Sequence, residues 1–456
     1  IAKPPFPAVM SATVRGAIGG PVALRGALVA SNAVRRWLLP LVVGASTALV
    51  AASCGGDHAD AGPTIRQVPE QYATIQAAVD AANPGDLVLI APGEYHETVE
   101  VATDRLVIRG TDRNTVILDG NDELGNGIAV TADGVAVENL TTRRFQQNGV
   151  LFNGSAASSA DGSASSVSYG GSASALEGYR VAYVTSYDNG LYGIYAFASH
   201  GGLIEESYAS GQPDSGIYVG QCKPCDVVVR HVTAERNAIG YYGTNASGGV
   251  YVIESTFAHN RLGMTPNSQK MELLAPQVET VVAGNLVIDN ADPDTPPIAS
   301  GFFGGGIAIG GGTANLVLKN RVSGHPAYGI GVVTLGTFNP EDNTVQGNVV
   351  TDNGVDLAYL PDASVRTTLA NCFADNTFTS SVPGDIESVM SCPGSDVIVA
   401  LEAYTLPQPP PGIDYRQVPA PPDQPSMPNA ATAPWAAASA TPPAVDLDAI
   451  QVPAAP

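Results

Sequence analysis

The sequence predicts an all-β chain, a right-handed parallel β-helix solenoid with an N-terminal capping helix. The first observation behind this is a repeat. Gly193-Ile194-Tyr195, Gly216-Ile217-Tyr218 and Ile239-Gly240-Tyr241 follow one another at a spacing of 23 residues. Gly127-Ile128, Gly149-Val150, Gly306-Ile307, Gly329-Ile330 and Gly354-Val355 start further copies. The second is alternation: runs such as Val135-Ala136-Val137-Glu138-Asn139 and Leu316-Val317-Leu318-Lys319-Asn320 alternate apolar and polar residues at the strand period. The third is a set of Asn-bearing corners: Gln147-Asn148, Asp188-Asn189, Arg236-Asn237, His259-Asn260, Asp289-Asn290 and Asp352-Asn353. Asn and Gly tolerate the left-handed backbone of a tight corner. Three strands and three corners use about 22–24 residues per turn at ~3.3 Å per strand residue. Units this short bury a core only by stacking.

The elements follow in order. Residues 1–53 read as a signal and export region: Arg35-Arg36 precedes an apolar run, residues 37–53, that ends in small residues before Cys54-Gly55-Gly56. Ala51-Ala52-Ser53-Cys54 resembles a bacterial lipobox, which implies lipidation at Cys54, a stable membrane anchor and a place in the cell envelope. A plain transmembrane anchor and a conventionally cleaved, secreted chain are the alternatives. Residues 54–66 form a tether. The β-helix domain runs over 67–404. Residues 74–82 predict a short helix with Ile75, Ala78, Val79 and Ala82 on one face and Thr74 as its cap. Such a cap covers the first open rung of a solenoid. Residues 155–175, rich in Ser, Ala and Gly, read as a flexible loop between two rungs. Residues 265–305 read as one rung between two irregular loops that wall a cleft. Residues 405–456, rich in Pro and Ala, read as an extended, disordered tail.

Thr74-Ile75-Gln76-Ala77-Ala78-Val79, Pro84-Gly85-Asp86 and Ala91-Pro92-Gly93-Glu94-Tyr95-His96-Glu97 resemble the opening of pectin-lyase-like β-helix proteins, and Gly216-Ile217-Tyr218-Val219-Gly220-Gln221-Cys222 is similar to the repeat core of a bacterial secreted group with that fold. The resemblance runs from about Gln67 to Gly394. It implies the fold. It leaves the reaction open, because the superfamily holds lyases, hydrolases, epimerases, esterases, noncatalytic binders and a periplasmic accessory protein for copper-site maturation. The Asp-Pro-His-Asp of mannuronan epimerases is missing, since Asp292-Pro293-Asp294 lacks the His. The paired-Asp and Gly-His-Gly patterns of polygalacturonases and the motifs of pectin methylesterases are missing too.

Function rests on side chains around the central repeats. Tyr195, Tyr218 and Tyr241 stack at that spacing into an outward ladder at ~4.8 Å intervals, either a platform for an extended glycan or a brace between rungs. Asp214, Arg230 and His231 are the candidate acid–base residues. Asp188, Asp214 and Asp226 are the candidate ligands for calcium, which uronic-acid lyases of this fold hold with carboxylates. Solvated corner charges are the plainer reading of both sets. Cys222, Cys225, Cys372 and Cys392 in an exported chain suggest two disulfides; sequence proximity pairs 222 with 225 and 372 with 392, and two other connectivities stay open. A net charge of −22 lacks the basic face a nucleic-acid partner requires. The sequence therefore reads first as an exported, lipid-anchored binder of polysaccharide. A polysaccharide lyase, epimerase or hydrolase with a non-standard site, and an envelope protein handling a metal, are the alternatives.

Overall fold

The computed structural model describes residues 62–154, 175–297, 303–400 and 402–456. The export region, Cys54, most of the tether and nearly all of the Ser/Ala/Gly loop lie outside the described residues. No helix among the described residues is long and apolar enough to cross a membrane.

The chain winds through three parallel sheets in turn. Sheet 1 has 12 strands, from Ile65–Val68 to Cys372–Ala374; sheet 2 has 10, from Gly93–Tyr95 to Val349–Thr351; sheet 3 has 11, from Val99–Val101 to Ser381–Val382. Every strand pairs with the equivalent strand one rung away. This is the right-handed parallel β-helix the repeat predicts. The helix Ile75–Asp80 caps it: Thr74 Oγ1 accepts the Ala77 N–H at 3.1 Å, and Ile75, Ala78 and Val79 are buried. Glu97 of the first rung accepts the Ile75 and Gln76 N–H groups, both at 2.9 Å. It satisfies helix-start donors that would otherwise lack partners.

The interior is built in columns. Ile128, Val150, Ile194, Ile217, Tyr241, Met264, Ile307, Ile330 and Leu357 stack along the inside of sheet 3. Burying an aliphatic side chain of this size contributes about 1.5–3 kcal/mol. The corners hold amide ladders. Asn237 donates to Asn260 at 3.0 Å and Asn260 to Asn290 at 2.9 Å; Asn285, Asn320, Asn348 and Asn376 form a second run at 2.9–3.0 Å. The left-handed residue is the one before the Asn, as at Arg236 (φ 57°) and His259 (φ 54°), while the Asn itself turns inward. Beyond the first Asn of a run, the oxygen accepts both the amide and the backbone N–H of the Asn one rung before, as Asn260 does for Asn237.

The structure corrects two readings. First, the register pairs Ile217 with Tyr241 and Tyr218 with Tyr242, a spacing of 24 rather than 23. Gly216 therefore aligns with Gly240, and glycine is the register mark for a reason. A Cβ at Gly216 would lie 2.8 Å from the Asn237 amide, and one at Gly240 2.9 Å from that of Asn260. Tyr241 consequently points into the core. Second, residues 405–456 are extended but packed. Their carbonyls take donors from Arg109, Arg113, Arg261, Lys319 and Arg321, and Ile450 is buried against Val228, Ile253 and Ala283. The segment is a strap, because the body supplies the donors and apolar contacts a proline-rich chain lacks for itself.

Candidate functional site

The outer face of sheet 3 carries the densest chemistry. The strand Tyr192–Phe197 puts Tyr192, Tyr195 and Phe197 outward, Ser215–Cys222 adds Tyr218, and Ile239–Ala246 adds Tyr242. The Tyr195 and Tyr218 rings lie 4.7 Å apart, Tyr192 stacks on Tyr195 at 4.4 Å and 13°, and Tyr218 meets Tyr242 edge-on at 5.7 Å. Gly220 makes room for this: a Cβ there would sit 2.4 Å from the Tyr218 ring. The outward ladder is thus Tyr195–Tyr218–Tyr242, with Tyr242 in the place read for Tyr241. It is also covered, with Tyr218 only 1% exposed.

Part of the cover is the loop 268–277. Asn245 receives Gln269 N–H and donates to the carbonyls of Gln269 and Leu273 at 2.8 and 3.0 Å. Gln221 accepts the Leu273 N–H at 3.0 Å. Gln269 donates to the Tyr242 hydroxyl, and the Tyr218 hydroxyl donates to Glu272. Met271, Leu273 and Leu274 stay exposed at its tip.

Two carboxyl groups meet these tyrosines. Asp214 precedes the strand of Tyr218 and takes a hydrogen bond from Tyr192. Burial pushes its carboxyl up to about 7 against that bond. Glu272 is also pushed up to about 7, by burial and then by the charge of Asp214, against the bond from Tyr218. Asp214 Oδ1 and Glu272 Oε2 are buried with no hydrogen-bond partner among the described residues. Carboxyl groups that ionise near neutrality next to aromatic hydroxyls can hold or move protons, and aromatic faces can pack on sugar rings.

The other sequence candidates do not join this cluster. Arg230 ends a strand of sheet 1 and pairs with Glu205 at 2.7 Å. His231 stands at the next corner, between Glu206 at 2.9 Å and Glu254 at 3.6 Å. They follow a strand on a different face from Asp214, so the three do not form one acid–base site. Asp188 and Asp226 sit at separate corners, each with a carboxyl oxygen over a glycine of the next rung, Gly211 and Gly249. With Asp214 they make no common cation site. Among the described residues the group spaced for a metal is Glu94, His96 and Asp119, with ligand atoms within 4.8 Å. Arg143 and Arg144 already hold Asp119 at 2.7 and 2.5 Å, and its carboxyl is lowered to about 2 by their hydrogen bonds despite burial. These residues fit an ion-pair cluster better than a calcium site. Both proximity-based disulfides are formed, Cys222–Cys225 and Cys372–Cys392.

Sequence reasoning missed Tyr192, Tyr242 and Glu272. The pattern Tyr192-Gly193 marks the first of these, one residue before the register glycine. Tyr242 was displaced by the one-residue slip. Glu272 carried no local signal, because its position depends on how the loop folds back.

Residues 171–350 match the family model described as the right handed beta helix region. No curated protein matches the chain. Among solved structures, the mannuronan C-5 epimerase AlgE6 A-module of Azotobacter vinelandii is 14% identical with a TM-score of 0.42, over 67% of this chain and 92% of that one. The alginate lyase of Paenibacillus sp. str. FPU-7 is 14% identical with a TM-score of 0.41, over 70% and 96%. The periplasmic alginate epimerase AlgG is 13% identical with a TM-score of 0.39, over 70% and 84%.

Proposed function

Starting from a right-handed parallel β-helix with a pectin-lyase-like fold, we propose that this chain holds an extended polysaccharide on the outer face of sheet 3. The observation that carries the reading is the cluster of Tyr192, Tyr195, Tyr218 and Tyr242 with Asp214 and Glu272. Its rings touch across three rungs at 4.4–5.7 Å. An array of aromatic faces flanked by carboxyl groups suits a polymer of sugars, whose C–H faces stack and whose hydroxyls hydrogen-bond. Binding requires loop 268–277 to swing off Tyr218 and Tyr242. Ionisation of Asp214 and Glu272 favours that movement, because two buried like charges repel.

In the same reading the chain is exported and carries a lipid at Cys54, which places the β-helix at the cell envelope facing polysaccharide. The lipobox-like Ala51-Ala52-Ser53-Cys54 supports this part. A second reading, cleavage or epimerisation of the bound polymer, is favoured by one observation: both carboxyls are pushed up to about 7. That is the range in which one group can give a proton while the other takes one.

The test is a glycan-array assay on the whole chain, at pH 6 and pH 8, with and without calcium. Bound glycans are then examined for shortened or unsaturated products. The expected result is binding that the Tyr195→Ala/Tyr218→Ala/Tyr242→Ala variant loses at least tenfold. Product that disappears in Glu272→Gln with binding retained moves the reading to an enzyme. Absence of binding to every glycan at both pH values rejects the polysaccharide reading.

A further inference from the structure

The strap lies in a track whose features repeat along the solenoid. It is poor in donors: 14 of residues 405–456 are proline, which has a carbonyl but no N–H. The body answers with donors. Arg109 reaches the carbonyls of Ala433 at 2.9 Å, Pro434 at 3.2 Å and Ala430 at 3.3 Å. Arg113 reaches Pro425 at 3.0 Å, Arg261 reaches Pro410 at 2.5 Å, Lys319 reaches Leu447 at 3.0 Å and Arg321 reaches Pro453 at 2.7 Å. Five of the 21 basic residues of an acidic chain thus face one segment.

Arg113 is the most telling of them. It is 2% exposed, and among the described residues it forms no salt bridge. Its guanidinium is satisfied by Thr185 Oγ1 and by the carbonyls of Val184, Glu206 and Pro425. A buried cation without a carboxylate is costly unless its hydrogen bonds are complete. The strap supplies one of them.

The track is also shaped. Gly134, Gly178 and Gly201 have positive φ and line it in successive rungs, and a Cβ at Gly201 would meet the Ala440 carbonyl at 2.1 Å. Ala438 N–H donates to Gly134 at 2.9 Å, and Trp435 Nε1 donates to Gly85 at 3.0 Å. The Trp435 ring packs on Leu87, Val107 and Ala136, and Val445, Leu447 and Ile450 pack on Val228, Ile253 and Ala283. A cavity of about 340 Å³ remains between the strap and Arg109, Tyr179, Arg180 and Leu203. Carbonyl-directed donors plus aromatic and aliphatic seats are the means by which extended proline-rich peptides are recognised. Such peptides lose little entropy on binding.

We propose that this track is a peptide-binding groove, occupied in cis by the C-terminal segment and able to take the same segment of a second copy in trans. The connection that ties the occupant to the body includes Thr405, Leu406, Gln408 and Pro409, all exposed. A protease recognition sequence inserted after Leu406 of the full chain allows that connection to be cut. After cleavage the released segment should co-elute with the body. A fluorescein-labelled synthetic peptide of residues 413–456 should then exchange into the cut protein and raise its anisotropy. Trp435→Ala or Ile450→Asp in the peptide should weaken binding at least tenfold, and a peptide of scrambled order should not compete. Placing the changes in the peptide leaves the folding of the body untouched. The proposal is overturned if the segment leaves on cleavage while the β-sheet circular dichroism persists, if cleavage unfolds the body, or if the scrambled or Trp435→Ala peptide binds as well as the native one.

Discussion

Two outer faces of the same solenoid are covered, and they treat charge in opposite ways. On sheet 1, Arg109 and Arg180 line the strap's track and join Glu138, Glu205 and Arg230 in a chain of ion pairs, with contacts of 2.6 Å at Arg109–Glu138, 2.8 Å at Arg180–Glu205 and 2.7 Å at Arg230–Glu205. Arg180 also closes on Glu138. Each carboxylate there has a guanidinium at both oxygens. On sheet 3, under loop 268–277, Asp214 and Glu272 each keep a buried oxygen without a partner among the described residues. Complete pairing makes a face that holds its cover. Incomplete pairing makes a face whose protonation state is free to change, which is what a reactive or gated site requires.

The largest effect expected concerns register. Tyr241→Ala empties the core side of sheet 3 and should cost about 3–5 kcal/mol in chemical denaturation, as for other buried aromatics. Tyr242→Phe, one residue on, should cost under about 1.5 kcal/mol, since it keeps the ring and loses only the hydroxyl's hydrogen bonds with Gln269 and Thr244. Equal losses would break the inside–outside assignment. Next, Glu138→Ala leaves Arg109, 1% exposed, without its carboxylate. A loss of about 3 kcal/mol is expected, as for breaking a buried pair. It should come with faster amide exchange at Ala438, because Arg109 also grips the strap.

The sharpest contrast is the sign of pH dependence. Asp214 and Glu272 ionise higher in the folded chain than the ~4 of an unfolded carboxyl. The folded state therefore binds more protons, and its stability falls as pH rises from about 4 through 7. Glu205 is lowered, because hydrogen bonds from Arg230 and Arg180 outweigh its burial. Its contribution is present above about 4 and is lost as pH falls. Hydrogen exchange, corrected for intrinsic rate, should show loop 268–277 losing about tenfold protection between pH 5.5 and 8, or ~1.4 kcal/mol. The strap should loosen only in acid. The Asp214→Asn/Glu272→Gln variant should flatten the first profile and leave the second unchanged. Parallel profiles for the two covers would remove the distinction between them.

The smallest effect tests the loop tip. Met271→Ser, at a residue 75% exposed, should change stability by under about 0.5 kcal/mol in thermal melts. A larger loss would mean the tip is held by more than its backbone anchors.

Much of the fold was legible because its signals are local. Gly193, Gly216, Gly263, Gly306 and Gly329 each precede the inward residue of a sheet 3 strand, so they recur visibly along the sequence. Aligning the repeats on tyrosine slips the register by one residue at Tyr241, and aligning them on glycine does not. An outward tyrosine is free to vary, whereas the glycine must clear the ladder amide. The strap was illegible for a different reason. Proline-rich composition describes what a segment cannot do for itself, and its partners, from Arg109 to Arg321, are distant residues that show no pattern in sequence. The carboxyl cluster was half legible: Asp214 stood out beside the repeat, while Glu272 reaches Tyr218 only through the folded loop.

The corner ladders give the solenoid a direction. Each side-chain amide donates one rung onward, to an amide oxygen or, at Asn290, to His325 Nε2, so the last rung is left holding a donor. Asn376 donates to Glu387 at 2.8 Å and Asn353 donates to Asp356 at 3.0 Å, in both cases to a carboxyl oxygen. A rung copied or deleted in mid-ladder leaves this sum unchanged, because each amide simply meets the next. A chain ending before these two acids would leave these half-buried amides with backbone carbonyls as their acceptors. The length of such a protein is therefore adjustable in whole turns from within, while two of its ladders close on acids and a third, Asn315–Asn343–Asn371, closes on the carbonyls of Pro340 and Thr368.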